Sequence, residues 1–228
     1  MNSEKMPPEY REILDRIERI ESLMALEPTA TGEHNTDKAD INERDDLSIP
    51  RQSQVVMKSE AYLNMAAHAI KFANPKRHPS QWVEVIGLLT GTLVDENTPI
   101  ERIIVSQYWP VGHGNAVSVN ILEAEPVMDI LRKKQENEFI VGWAHSHPSY
   151  SPYLSIDDVR TQARYQALWE SSIAIVIDPT MITKESYGFE VFRLSGRHEY
   201  YRLESEVEGM TPEAAFAAIS RLMNQMEE

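Results

Sequence analysis

From Val55 onward the sequence predicts an α/β domain. Short runs rich in valine, isoleucine and aromatic residues recur along this region and alternate with amphipathic stretches of helical length. Proline, glycine, asparagine and serine punctuate the junctions, where they favour turns and helix starts.

The first element is a short strand, "VVMK", after which Ser59 is placed to cap a helix reaching Phe72. Leu63, Ala66, Ala69, Ile70 and Ala73 share its apolar face, and Asn74-Pro75 ends it, because proline pushes the preceding residue out of helical geometry. "WVEVIGLLTGTL" and "ERIIVSQYW" read as two strands joined by a polar turn. A loop, "PVGHGNA", leads to "VSVN", and Pro126 starts a helix ending in Arg132, Lys133 and Lys134. "FIVGWAHSH" is a strand, 156–169 a helix, "SIAIVID" a strand, and "GFEVFRL" and "EYYRL" the last strands. Thr211-Pro212-Glu213 then opens a C-terminal helix with Phe216, Ile219, Leu222, Met223 and Met226 along one stripe.

Ahead of this domain, residues 7–26 predict a helix entered through Pro7-Pro8. Tyr10, Ile13, Ile17, Ile20 and Met24 recur at spacings of 3, 4, 3 and 4, a seam suited to docking on a partner or on the chain's own domain. Residues 27–50 lack periodicity and carry seven acids against two bases, which reads as a solvated acidic linker. The chain therefore divides into an N-terminal helix (1–26), a linker (27–54), a folded domain (55–204) and a C-terminal helix (205–228).

A net charge of −14 argues against a nucleic-acid or anionic-membrane surface. No apolar run reaches membrane-span length, and the N-terminus has no apolar signal core, so the sequence predicts a cytoplasmic protein. Cysteine is absent, which removes disulfides, thiolate nucleophiles and cysteine-liganded zinc. Any metal site must be built from histidine, aspartate and glutamate.

The segment "VGWAHSHPSYSPYLSIDDVRTQ" concentrates such residues. His145 and His147 are two apart in a strand, so both imidazoles project to one face, where they can share a metal or simply finish a strand end. Ser155 and Asp158 have capping-box spacing, yet a hydroxyl at a helix start beside two histidines can also face a cleft. A catalytic zinc takes three protein ligands and keeps an open position for water. The third ligand would be a carboxylate at the start of the following helix, Asp157 or Asp158. In "WVEVIGLL", Trp82, Glu84, Ile86 and Leu88 share one face of a strand, and Val83, Val85 and Leu89 the other. Both faces are apolar, so Glu84 is a lone carboxylate where burial is costly, the position expected of a general base.

Together these residues resemble the motif of the JAMM (MPN+) metalloprotease family: an upstream Glu84, then His145-Ser146-His147-Pro148, then Ser155-Ile156-Asp157-Asp158. The family's ligand aspartate lies eleven positions after the second histidine, and 147 + 11 = 158. The likeness extends from about Val55 to Leu194 through "VEVIGLLTGTLVDE", "AVSV", "FIVGWAHSHP" and "AIVIDP". It is greatest to the proteasome-lid deubiquitinases, with the signalosome deneddylases next, and the missing cysteine and short loops suggest an archaeal-type version.

The resemblance implies a twisted, mostly antiparallel β-sheet flanked by helices, with N- and C-terminal helical appendages. It implies one zinc per chain held by His145, His147 and Asp158 with water as fourth ligand, Glu84 as general base and acid, and Ser155 stabilising the oxyanion. The reaction would be isopeptide hydrolysis on conjugates of ubiquitin or a ubiquitin-like modifier, with docking to a proteasome-like complex or an MPN partner. The same chemistry on a sulfur-carrier or pro-modifier tail, and a non-catalytic assembly scaffold, are the alternatives. "YWPVGHGNAVSV" falls where the family places a flexible insertion, which would make His113 a loop residue and not a ligand. The family's glycine-rich stretch before the serine is here "SYSPY", and Ala144 replaces its aromatic before the first histidine.

Overall fold

The computed structural model describes residues 52–74, 76–94, 100–114, 130, 133–196 and 199–225. The expected N-terminal helix, residues 27–51 of the expected linker, "VSVN" and most of the helix expected from Pro126 lie outside the described residues, while residues 52–54, expected in the linker, already belong to the first strand.

Seven strands form one sheet: β1 (Gln52–Lys58), β2 (Glu84–Val94), β3 (Ile100–Gly114), β4 (Phe139–Ser146), β5 (Ile173–Ile182), β6 (Tyr187–Leu194) and β7 (Tyr200–Glu208). Among the described residues three α-helices accompany them: α1 (Ser59–Phe72), α2 (Ile156–Leu168) and α3 (Pro212–Gln225). The strand order is β1-β3-β2-β4-β5-β6-β7, and it closes, because β1 pairs in parallel with both β3 and β7. β4 and β5 form the third parallel pair, and the remaining pairs are antiparallel. The expected sheet is thus a mixed barrel closed on itself, an arrangement that pairs the edges an open sheet would leave exposed.

Strand β3 also departs from expectation. "PVGHG" reads as a loop by its proline and glycines, yet β3 continues to Gly114, with His113 paired opposite Val85. A register shift between Ile86 and Gly87 absorbs the proline, since Pro110 faces Gly87 and Gly112 faces Ile86, leaving Val111 as the extra residue of a bulge. Gly87 is required there, because a Cβ would come within 2.4 Å of the Tyr108 ring. At the start of α1 the extended Lys58, not Ser59, occupies the N-cap position and makes no side-chain cap bond. Ser59 is already helical, because the β1 ladder with β7 runs up to Lys58 and the turn into the helix follows at once.

The core has two parts, one on each face of β2. Val85 and Leu89 face a cluster that includes Met57, Tyr62, Met65, Ile103 and Ile175. Ile86 and Leu88 face the other, with Trp143, Val159, Tyr165 and Phe192. Helix α1 buries Ala61, Tyr62, Met65, Ala66, Ala69 and Ile70 on the first cluster, the alanines allowing close approach to the strands. Helix α3 adds Ala215 and Ile219 to that same core, so it is part of this fold and not an appendage to it. Helix α2, which links the parallel strands β4 and β5, lies against the second cluster.

Candidate metal centre

The β2–β4 pairing carries a register shift between Leu89 and Thr90: Leu89 faces Gly142, while Thr90 faces Ile140. Val141 is the extra residue, and its side chain enters the first core while Trp143 enters the second. The bulge therefore decides which way the following alternation points. It places His145 beside Trp143, whose ring stacks on the imidazole at 4.7 Å and 14°. Trp143 is held in turn: its Nε1–H donates to Gln162 Oε1 of α2 at 2.9 Å, and Gln162 Nε2 donates to the Ser172 carbonyl at 2.7 Å. Trp143 and Gln162 belong to no motif in the sequence. Their one signal is that Trp143 shares the alternation of His145.

His145 and His147 are buried, with their Nε2 atoms 3.0 Å apart. Asp158 joins them, its Oδ1 at 3.2 Å from His145 Nε2 and its Oδ2 at 3.4 Å from His147 Nε2. The ligand atoms of all three lie within 4.8 Å of one another. Two imidazole nitrogens and a carboxylate converging in a buried spot form the donor set of a three-ligand zinc site. Their separation suits it, since tetrahedral zinc holds two nitrogens roughly 3.3 Å apart at Zn–N of about 2.0–2.1 Å. The residues present fit the metal.

Asp158 is presented by the start of α2. Ser155 is the N-cap: its Oγ accepts the Asp158 N–H at 3.2 Å, and Asp158 Oδ2 accepts the Ser155 N–H at 2.8 Å. This reciprocal pair fixes the carboxylate while leaving it facing the histidines. Burial works against its ionisation, but hydrogen bonds from His145, His147 and Ser155 outweigh that and hold the Asp158 carboxyl well below the usual carboxylate range. Asp157 points elsewhere: it is exposed, and its Oδ1 pairs with Arg160 Nη1 at 2.9 Å.

Glu84 enters through β2. Ile86 pairs with His145, and antiparallel counting of two residues each way brings Glu84 opposite His147. The ladder is fastened between them, since Ser146 Oγ accepts the Val85 N–H at 3.0 Å. Glu84 is half-buried, and burial raises its pKa above the ordinary glutamate value. The two histidines pull it down and the Asp158 charge pushes it up, so all three metal-type ligands act on it electrostatically. A cleft of about 380 Å³ opens at this point. It is lined by Pro79, Trp82 and Glu84 on the β2 side and by Pro148, Ser149 and Tyr150 from the turn after His147. His113 stands apart from the group, exposed on β3 with its ring stacked on Phe72 at 4.0 Å.

A protein-family model described as JAB1/Mov34/MPN/PAD-1 ubiquitin protease matches residues 50–171. The chain is 34% identical over 147 residues to the 26S proteasome non-ATPase regulatory subunit 14 of Drosophila melanogaster, covering 64% of this chain and 45% of that protein. It is 33% identical over 143 residues to the 26S proteasome regulatory subunit rpn11 of Schizosaccharomyces pombe, covering 61% and 43%. It is also 33% identical over 115 residues to the ubiquitin carboxyl-terminal hydrolase RPN11 of Saccharomyces cerevisiae, covering 49% and 37%. The match thus spans less than half the length of each of these relatives.

Proposed function

The chain belongs to the JAB1/Mov34/MPN/PAD-1 ubiquitin protease family, and from that premise we propose that it is a cytoplasmic zinc isopeptidase that removes ubiquitin or a ubiquitin-like modifier from conjugates in association with a proteasome-like particle. The observation that carries the proposal is the convergence of His145, His147 and Asp158 beside a cleft into which Glu84 brings a carboxyl of raised pKa. The names of the relatives, proteasome regulatory subunits and a ubiquitin hydrolase, support the substrate class and the particle.

His145, His147 and Asp158 would hold the metal, the Asp158 carboxylate being kept oriented by the N-cap pair with Ser155 and ionised chiefly by the hydrogen bonds from the two histidines. When bound, zinc supplies Lewis acidity and makes water a usable nucleophile near neutral pH. Glu84 would take the proton of the attacking water on its carboxylate and return it to the departing amine, so that a lysine side chain leaves neutral. Its raised pKa suits both halves of the transfer, since a base that binds its proton too weakly cannot serve as the acid that follows. The Ser155 hydroxyl, which accepts from Asp158 N–H, keeps its own proton available for the oxygen of the attacked carbonyl.

The test is incubation of the full chain with diubiquitin and with ubiquitin-like fusions, with and without a zinc chelator. Cleavage that the chelator abolishes and zinc restores is the expected result. Equal turnover by Glu84→Gln and wild type would sink the mechanism. Cleavage confined to a sulfur-carrier or pro-modifier fusion would reassign the substrate.

A further inference from the structure

Asp178, in β5, is 1% exposed and takes no part in the metal cluster. Its carboxylate accepts four hydrogen bonds. Two are local, from the Thr180 N–H at 2.9 Å and the Thr180 hydroxyl at 2.7 Å, both to Oδ1. The other two reach back to the turn after the second histidine: Ser149 N–H to Oδ1 at 3.1 Å and Ser151 N–H to Oδ2 at 3.0 Å.

The backbone of that turn is unusual. Ser149 and Ser151 both have positive φ, 69° and 65°, a region that residues with a Cβ seldom occupy. His147-Pro148-Ser149-Tyr150 is closed by the Tyr150 N–H on the His147 carbonyl at 3.2 Å, with proline second and a left-handed residue third, the type II pattern in which glycine is preferred at the third position. Strained backbone of this kind persists only where its surroundings over-determine it. Here the two strained residues are the two whose amides Asp178 holds. Between them stands Tyr150, 69% exposed, which with Pro148 and Ser149 lines the cleft that contains Glu84.

The metal ligands do not depend on this clamp. The His147 N–H donates to the Ile177 carbonyl at 2.9 Å, and β4 is paired with β5 from Gly142 to Ser146. The turn can therefore loosen without releasing either histidine. We propose that Asp178 is a positioning residue that locks the Ser149–Ser151 segment, so that Tyr150 and Pro148 form a rigid wall of the substrate cleft. It governs capture of the substrate and leaves the proton transfers alone. The role in capture rests on the isopeptidase reading; the clamp itself does not.

The experiment combines amide hydrogen exchange with steady-state kinetics on the zinc-loaded full chain, using a fluorogenic ubiquitin C-terminal amide. In the wild type, the Ser149 and Ser151 amides are protected although both residues are exposed; free exchange there overturns the clamp without any variant. Asp178→Asn accelerates exchange at those two amides about ten-fold or more and leaves the β4 amides protected. The same variant raises KM about ten-fold, with kcat within about two-fold and metal content unchanged. Tyr150→Ala, an exposed change that does not threaten folding, reproduces the rise in KM, and the double variant is no worse than either single one because both act through one wall. A wild-type KM in Tyr150→Ala, effects that multiply in the double variant, or metal loss in Asp178→Asn each overturn the proposal. If the wild type cleaves no ubiquitin conjugate, the proposed function fails instead, and amide exchange still decides the clamp.

Discussion

Glu101 and Arg193 form one buried charged cluster of this barrel, and Asp158 with its two histidines forms another. Glu101 on β3 is 1% exposed and Arg193 on β6 is 5% exposed, and their closest approach is Arg193 Nη1 to Glu101 Oε2 at 3.5 Å. Ser171 joins the group, its hydroxyl donating to both Glu101 oxygens and its carbonyl accepting from Arg193 Nη2 at 2.7 Å. Opposite charges are matched within the cluster, and its hydrogen bonds link β3, β6 and the approach to β5. The second cluster is arranged differently. Three electron-pair donors converge on one point beside a cleft, and Glu84, which lines that cleft, is held at a raised pKa by burial. Burial alone does not distinguish the two. A buried charge that holds the fold is matched by its opposite, whereas two imidazoles and a carboxylate converging on one point form a donor set that could hold a metal ion.

Five substitutions test that contrast. The largest effect belongs to His147→Ala, which should lower metal content from roughly one per chain to near zero and abolish turnover, as read by elemental analysis and the diubiquitin assay. A folded protein by circular dichroism would show that the cluster serves function before stability. Glu84→Gln should keep the metal and lower kcat about 10²–10⁴-fold. In the wild type, kcat/KM should fall along an acid limb that reports Glu84, whose pKa burial raises in the metal-free chain, because the base works only when deprotonated. That limb should vanish in the variant. The same raised pKa predicts the opposite trend for stability: the metal-free wild type loses stability relative to Glu84→Gln as pH rises from about 4 through the folded-state pKa.

Arg193→Ala should act the other way, costing about 3–5 kcal/mol in chemical denaturation because it removes a buried cationic partner of Glu101, with unchanged turnover per folded molecule. The smallest effect separates neighbours in sequence. Asp158→Asn should weaken metal binding measurably in a chelator competition. Asp157→Asn, which removes only an exposed pair with Arg160, should change stability by about 0.5 kcal/mol or less and leave metal affinity alone. Reversed effects would mean that Asp157 is the ligand.

What the sequence by itself determined were the features governed by neighbours a few residues apart. The two-residue period of a strand put His145 and His147 on one side, the capping-box spacing brought Ser155 and Asp158 together, and the double apolar pattern of β2 announced a strand buried on both faces. The helix limits at Phe72 and Ile156 were legible for the same reason. Pairing with distant strands decided the rest. The bulge at Val141 set the face on which His145 meets Trp143, the bulge at Val111 carried β3 through a proline that reads as a breaker, and β1 closed the barrel by joining both β3 and β7. Asp178 lies 29 and 27 residues from the two serines it holds, and no local pattern links them. Periodicity and capping are settled within a turn or a strand, where they can be read from the sequence. Register, closure and the partner of a buried carboxylate depend on which strands meet, and only the folded chain decides that.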